Sequence, residues 1–406
     1  MTSRFDLSLA TILNDITASP TMAMTQAARD LKRAGRDVIS LSAGEPDFET
    51  PEHIRAAGIS AINAGYTRYT PVDGLPALKS AISRRFMADH GLAYKENEIT
   101  IAPGGKAIIY NAFRATLNPG DEVIIPTPYW VSYPDIVRLC GGTPVIPQTN
   151  ADARFLLSAE KLDAAITPAT KWLVLNSPCN PTGEMYTEEN LRALATVLQQ
   201  HPNVMVLTDD IYEKITFDGR ISKTIAGVAG EMKERTLTMN GVSKAYAMTG
   251  WRIGYAGGPA PLVKAMAKIM MQSTSNPCTI SQYATIAALD GDHSFLTGWN
   301  KIYSKRRDFV VQSLNASPLL HCATPSGAFY VFFDCRGALG KTSLSGTYLA
   351  SDIEFATSLL NEALVAIVPG SAFGAPGFCR LSYAASDELL SQACERILAF
   401  CDSLSG

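Results

Sequence analysis

Lys244 and Arg252 stand eight residues apart in the run Ser243-Lys244-Ala245-Tyr246-Ala247-Met248-Thr249-Gly250-Trp251-Arg252-Ile253-Gly254-Tyr255, whose other residues carry no charge. A lysine partly withdrawn from water gives up its proton more readily and becomes a nucleophilic amine that can form a Schiff base with an aldehyde. A guanidinium is the natural partner of a phosphate. One small molecule, pyridoxal phosphate, carries both groups. The spacing alone fits a solvated helix face equally well, so the pair needs company to mean chemistry.

That company stands at the ends of successive predicted strands. Ile99–Ala102 leads into Pro103-Gly104-Gly105-Lys106, and Ala107 to Leu117 reads as a helix. Glycines opening a helix expose N–H groups beside the positive end of its dipole, an anion site. The apolar run 122–125 ends on Tyr129 and Trp130, an aromatic that either caps the core or stacks on a planar ring. Lys171–Leu175 runs into Asn176-Ser177-Pro178-Cys179-Asn180-Pro181-Thr182-Gly183. An Asn followed by Pro can aim its amide at a ring hydroxyl, and of the two asparagines Asn176 reads as the turn residue.

The strand 203–208 delivers Asp209, Asp210, Ile211 and Tyr212. Acids there serve helix capping or chemistry, and a pyridine ring acting as electron sink needs one carboxylate to keep its nitrogen protonated. The last strand of the series, 236–239, ends on Lys244 itself. Convergence of five strand ends is the sequence argument for one site.

The elements that must hold these residues alternate strand, loop and helix, which predicts a mainly parallel sheet with ligands at its carboxyl edge. Residues 7–34 read as helix-prone and broken at Ser19-Pro20. Val38–Leu41 is a short strand ending in Ser42-Ala43-Gly44-Glu45-Pro46-Asp47-Phe48, where Gly44 either lets backbone approach a ligand or makes an ordinary turn. Helices near 52–64 and 75–90 flank the loop 66–74 with Tyr69. Residues 131–170 supply helix and strand without evident chemistry. Beyond Pro259 the chain is helical to about residue 315 apart from 272–277. Strands at 327–333, 366–368 and 379–384, a helix at 352–363 and a flexible loop at 370–374 then suggest a smaller α+β unit. Arg380, inside the final strand, is either a core ion-pair member or a bidentate grip for a carboxylate.

At 406 residues the chain calls for a large and a small domain, read here as an N-terminal arm and small-domain segment 1–48, a large domain 49–300 and a small C-terminal domain 301–406. The charge of −3 gives no reason to expect nucleic acid or an anionic membrane as partner. Neither an export signal nor a membrane-spanning run is visible. Eight cysteines without a CxxC pair and five unclustered histidines predict free thiols in a reducing cytoplasm and no metal site.

From Gly44 to Tyr383 these motifs, in order, resemble the class I/II pyridoxal-phosphate-dependent aminotransferases, and most of all the bacterial gamma (1b) type aspartate/prephenate aminotransferases. The resemblance implies the α/β type I fold, with a seven-stranded, mostly parallel sheet sandwiched by helices plus a smaller α+β domain, in a homodimer with shared active sites. It makes Lys244 the residue that holds pyridoxal 5'-phosphate and moves the substrate's α-proton, and Arg252 the grip on the phosphate, among Gly104, Gly105, Lys106 and Ser243. Trp130 stacks on the ring, Asp209 serves its nitrogen, and Asn180 and Tyr212 its oxygen. Tyr69 reaches the partner subunit's cofactor, while Gly44 and Arg380 hold the substrate α-carboxylate.

The implied activity is ping-pong transfer of an amino group between an amino acid, aspartate or glutamate first, and a 2-oxo acid. An acidic substrate needs a second cation. The stretch 273–276, where some relatives have an arginine, has none here. Arg114 is the candidate substitute, although it lies about 12 Å along the helix axis from Lys106 and a solvated helix arginine is its rival reading. Prephenate-using relatives commonly carry a lysine near the position of Thr17, and Thr21 belongs to the same arm as a candidate pocket residue. Aromatic, prephenate or specialised substrates, and β-lyase chemistry on the same lysine, stay open. A non-catalytic regulator would bring a DNA-binding extension, and none is seen.

Overall fold

Residues 7–16 and 20–406 are described by the computed structural model, so Thr17 lies outside the described residues. Helix α1 (Pro20–Arg33) leads to β1 (Ile39–Ser40), and α2 (Glu52–Asn63) and α3 (Pro76–His90) follow. Gly91 ends α3 in the left-handed region at φ 68°, the conformation a glycine adopts at least cost.

The central part runs β2 (Ile99–Ala102), α4 (Gly105–Thr116), β3 (Glu122–Ile124), α5 (Ser132–Leu139), β4 (Thr143–Val145), α6 (Ala159–Ala165), β5 (Thr170–Asn176) and α7 (Glu188–Gln199). Thr187 opens α7 by accepting the Asn190 N–H at 3.2 Å. Next come β6 (Met205–Asp209), α8 (Ile225–Val228), β7 (Thr236–Gly241), β8 (Gly254–Gly257), α9 (Ala260–Met271), α10 (Thr279–Asp290) and α11 (Ser294–Leu314). The chain closes with β9 (Tyr330–Asp334), α12 (Asp352–Ala363), β10 (Val365–Ala366), β11 (Val368–Pro369), β12 (Phe378–Ser382) and α13 (Asp387–Asp402).

Seven strands form the main sheet in the order β2-β8-β7-β6-β5-β3-β4. All pair in parallel except β8, which runs antiparallel to both neighbours. Trp172, Leu173, Val174 and Leu175 are all buried, the continuous apolar run of a strand covered on both faces. Asn176 is level with Asp209 and Asp209 with Met239, so β5 and β6 end at one height beside Met239 of β7.

Three local expectations need correction. The apolar run 366–368 is two strands: β10 pairs in parallel with β1, and β11 pairs antiparallel with β12, which continues to β9. Residues Gly370–Phe373 form a 3-10 turn with Phe373 fully buried, where a flexible loop was expected. The Asp352 carboxylate holds it, accepting from the Ser371 N–H at 2.6 Å and hydroxyl at 2.7 Å. Strand β8 escaped the hydrophobic pattern because two of its four residues are glycine.

Those glycines have a use. A Cβ on Gly254 would lie 2.4 Å from the Gly105 nitrogen and 2.5 Å from the Gly104 carbonyl carbon, so only a glycine lets β8 pack against the turn that opens α4. Gly254→Ala is expected to lower the stability of the cofactor-free protein by about 2 kcal/mol or more and to weaken cofactor retention with it. Denaturant unfolding and cofactor titration on the same preparation check both.

Candidate active site

A cavity of about 470 Å³ opens at the carboxyl edge of the sheet, a size typical of small-molecule sites. It brings together most of the residues singled out in the sequence: Thr21, Gly44, Gly105, Lys106, Trp130, Asn180, Asp209, Tyr212, Ser243, Lys244, Arg252 and Arg380. Gly104 stands just behind as the residue before α4, at φ 89°.

Lys244 donates to the carbonyl of Gly44. Burial is the main force on its ammonium and holds the amine down to about 8 against the pull of the Glu45 carboxylate, with Arg380 adding to the lowering. A useful fraction is therefore neutral near physiological pH.

Asp209, only 6% exposed at the end of β6, is pushed the other way, up to about 6, because burial disfavours its charge. Its Oδ2 accepts from the Tyr133 hydroxyl at 2.6 Å and its Oδ1 from the Ile211 N–H at 3.3 Å, bonds that favour the ionised form without cancelling the burial. Asn176 is a bridge where a turn residue was expected. Its amide donates to the Asp209 carbonyl at 2.7 Å, and its Oδ1 accepts the Asn180 N–H at 2.8 Å, joining two strand ends. Asp210 is buried as well, accepting from Thr208 at 3.1 Å, and does not line the cavity.

The opposite wall is built on Arg380, which is 2% exposed. Its Nη1 donates to Asn180 Oδ1 at 2.9 Å and its Nη2 to the Ser42 carbonyl, and its plane lies 4.6 Å from the Tyr330 ring. Its buried Nε has no partner in the structure. Tyr330 also meets the Tyr212 hydroxyl at 2.8 Å and approaches Gly44 so closely that a Cβ there would sit 2.6 Å from its oxygen.

At the third wall Arg252, in the left-handed region at φ 57°, donates to the Thr249 carbonyl at 2.7 Å and lies against Gly104. A Cβ on Gly104 would sit 2.2 Å from Arg252 Nη2. The Lys106 amine, lowered by partial burial and by Arg252, lies 4.9 Å from the Trp130 ring centre.

Four cations thus line the cavity, and among the described residues none has a carboxylate within 4.0 Å. Arg380 is buried and Lys244 largely so, while Lys106 and Arg252 face the open side, and like charges gathered without carboxylates favour the arrival of anions. Pyridoxal phosphate fits this set: an amine for its aldehyde, a guanidinium and a glycine-opened helix for its phosphate, a buried carboxylate for its ring nitrogen and an asparagine beside an aromatic plane.

Two expected residues stand elsewhere. Arg114 is exposed on the last turn of α4, because eight residues of helix carry it away from the glycine turn. It is not among the residues that line this protomer's cavity. Tyr69 is 91% exposed and absent from this protomer's own cavity. Conversely, Tyr133, Met239 and Tyr330 were not singled out in the sequence.

This fold and this site define a type I pyridoxal-phosphate enzyme. The chain belongs to the family "Aminotransferase class I and II", whose pattern it matches over residues 36–397, and it is pyridoxal-phosphate dependent. It is 53% identical over 397 residues to the aspartate/prephenate aminotransferase of Cereibacter sphaeroides, covering 98% of this chain and 99% of that one. The crystal structure of the Rhizobium meliloti aspartate aminotransferase superposes with a TM-score of 0.96 at 52% identity, covering 98% of this chain and all of that one. The Thermus thermophilus aspartate aminotransferase with maleate gives 0.91 at 42% identity, over 97% of this chain. Among the described residues no helix is long and apolar enough to cross a membrane.

The raised acidity range of Asp209 makes a testable cost. A carboxyl at about 6 when folded and 3.8 as its ordinary value destabilises the cofactor-free protein by about 3 kcal/mol above pH 6. The cost fades as pH falls through 6 towards 4 and the folded carboxyl takes up its proton. Cofactor-free Asp209→Asn is therefore expected to melt above the unsubstituted protein at pH 7.5, with the gap closing by pH 4.5, while activity falls by about two orders of magnitude or more. Melting curves across pH, run beside an activity assay, check this.

Proposed function

We propose that the protein transfers the amino group of aspartate to 2-oxoglutarate, and runs the reverse with glutamate and oxaloacetate. The observation that carries this is the set of four unpaired cations around one cavity, one more than the cofactor and an α-carboxylate require. The relatives' names, aspartate and aspartate/prephenate aminotransferase, support the same substrate class.

Bound pyridoxal phosphate supplies an aldehyde and a protonated ring that takes up the electron pair left at the substrate's α-carbon. The chain's own residues do the rest. Arg380, with its free Nε and flat guanidinium, takes the α-carboxylate and so turns the α-hydrogen towards Lys244. Lys244, held to about 8, accepts that proton as a neutral amine and returns it as an ammonium. Asp209 stays ionised beside a cationic ring nitrogen, and Tyr133 keeps its carboxylate aimed. Trp130 bounds the ring face, Asn180 and Tyr212 approach its oxygen, and Arg252 with Gly104, Gly105 and Ser243 holds the phosphate.

Lys106, which the resemblance places with the cofactor, is the remaining cation and in this reading takes the distal carboxylate of aspartate instead. Its place beside Trp130 supports this reading, as does the removal of Arg114 from the cavity. Thr21, whose buried hydroxyl has no partner, lies on the same cavity and faces the substrate.

The active form in this reading is a homodimer in which Tyr69 enters the partner subunit's site. The 91% exposure of this tyrosine, and of Leu7, Leu9, Ile59 and Ile62 at 53% or more, supports a covered surface. In this reading residues 49–300 form the large domain and 301–406 the small one, which the segment around β1 joins, a division supported by the pairing of β1 with β10. All eight cysteines are free, which supports a cytoplasmic location.

An amino-donor and oxo-acid panel tests the substrate. Aspartate and glutamate are expected to exchange with each other's oxo acids; donors without a distal carboxylate outrunning them would overturn the reading. Lys106→Met is expected to cut kcat/KM for aspartate about a hundredfold and to leave alanine or phenylalanine within a fewfold. Lys244→Ala should abolish turnover and the borohydride-stable attachment of cofactor.

A further inference from the structure

Tyr69 sits in a loop whose placement is set from elsewhere in the chain. Gln282, on α10, is fully buried, yet every bond its side chain makes serves a loop segment. Its Oε1 accepts the Leu75 N–H at 2.8 Å, and its amide nitrogen donates to the Thr70 hydroxyl and to the Pro277 carbonyl, each at 3.0 Å. Both N–H donors of the amide and its carbonyl oxygen are thus used, next to Tyr69 at Thr70, at the residue that follows the Tyr69 loop, and at the segment leading into α10.

The same helix adds two further ties. Thr279 donates to the Arg68 carbonyl at 2.8 Å, and Tyr283 stacks on Tyr66 with ring centres 4.4 Å apart. Tyr69 is left as the free tip between tied residues. A side chain 91% exposed needs no such support for its own protomer. The support matters if the tip must arrive at a fixed place on another molecule.

We propose that Gln282 is a positioning residue for the partner subunit's active site, locking the Tyr69 loop and residues 277–279 into one rigid element that completes the neighbouring cofactor pocket. This rests on the homodimer reading above. Breaking the lock leaves buried N–H and C=O groups without partners and lets the loop move, so the effect should fall on cofactor hold in the other protomer.

Mixed dimers make the direction readable. In the first, one chain carries Gln282→Leu and the other Lys244→Ala, so the one working site takes Tyr69 from a chain with an intact lock. In the second, a single chain carries both substitutions, so the working site takes Tyr69 from the unlocked chain. The first is expected to keep near-normal cofactor affinity and turnover, and the second to lose about tenfold in cofactor affinity. Thr70→Val, which removes one bond at the surface end, repeats the pattern more weakly and stands in should Gln282→Leu fold poorly.

Equal losses in both dimers, or a loss confined to the first, would overturn the proposal in favour of a purely internal role. Tyr69→Phe in the same two arrangements separates it from the reading beneath. If Tyr69→Phe shows no loss across the dimer, the shared-site reading fails. If it shows the loss and Gln282→Leu does not, the lock alone fails.

Discussion

An ionised carboxylate that is buried without a counter-ion is the constraint on which the rest of the site depends. Asp209 ends a central strand at the floor of the cavity, almost fully buried, and two hydrogen bonds only part-compensate its burial. Around it stand four cations with, among the described residues, no carboxylate close enough to pair. Separately these groups are costly; together they describe in outline a ligand that is cationic at one atom and anionic at two others. The protein keeps that arrangement because the sheet beneath it is rigid enough to prevent the charges from pairing among themselves.

Register is the means. Parallel strands end level, so Asn176, Asp209 and Met239 meet the cavity at one height, and the Asn176 amide ties two of those ends together. Glycines do the complementary task of letting backbone come close where side chains would intrude, as Gly254 does behind the α4 turn and Gly104 does before Arg252. Stability and chemistry oppose each other at Asp209 and support each other at Gly254.

How much of this was legible in the sequence follows from what each residue's signal depends on. Strand ends are marked by local pattern, which pointed to the turns that carry Asn180, Asp209 and Lys244, while the family resemblance singled out Asn180 over Asn176 and paired Lys244 with Arg252. The bounds of β2 and α12 came out of the sequence for the same reason. Tyr133 and Tyr330 were not visible, since their importance lies in hydroxyl contacts across 76 and 118 residues of chain. Asn176 looked like a turn because an Asn before Ser-Pro is one by local rule, and only the neighbouring strand gives its amide a partner. Arg114 shows the reverse case: its type suited the task, but helical rise sets it on the last turn of α4, while Lys106 at the start of the same helix lines the cavity.

The hydrogen bond from Arg380 to Asn180 carries one more implication. An amide can present its oxygen or its nitrogen with nearly the same shape, and here the guanidinium takes the oxygen, which turns the N–H donors towards the space where a ring oxygen would lie. The group that grips the substrate thereby selects the polarity of the group that faces the cofactor. Light absorption by the bound ring would then register events at the carboxylate subsite, and a change made to alter substrate preference would show its first trace as a shift of colour.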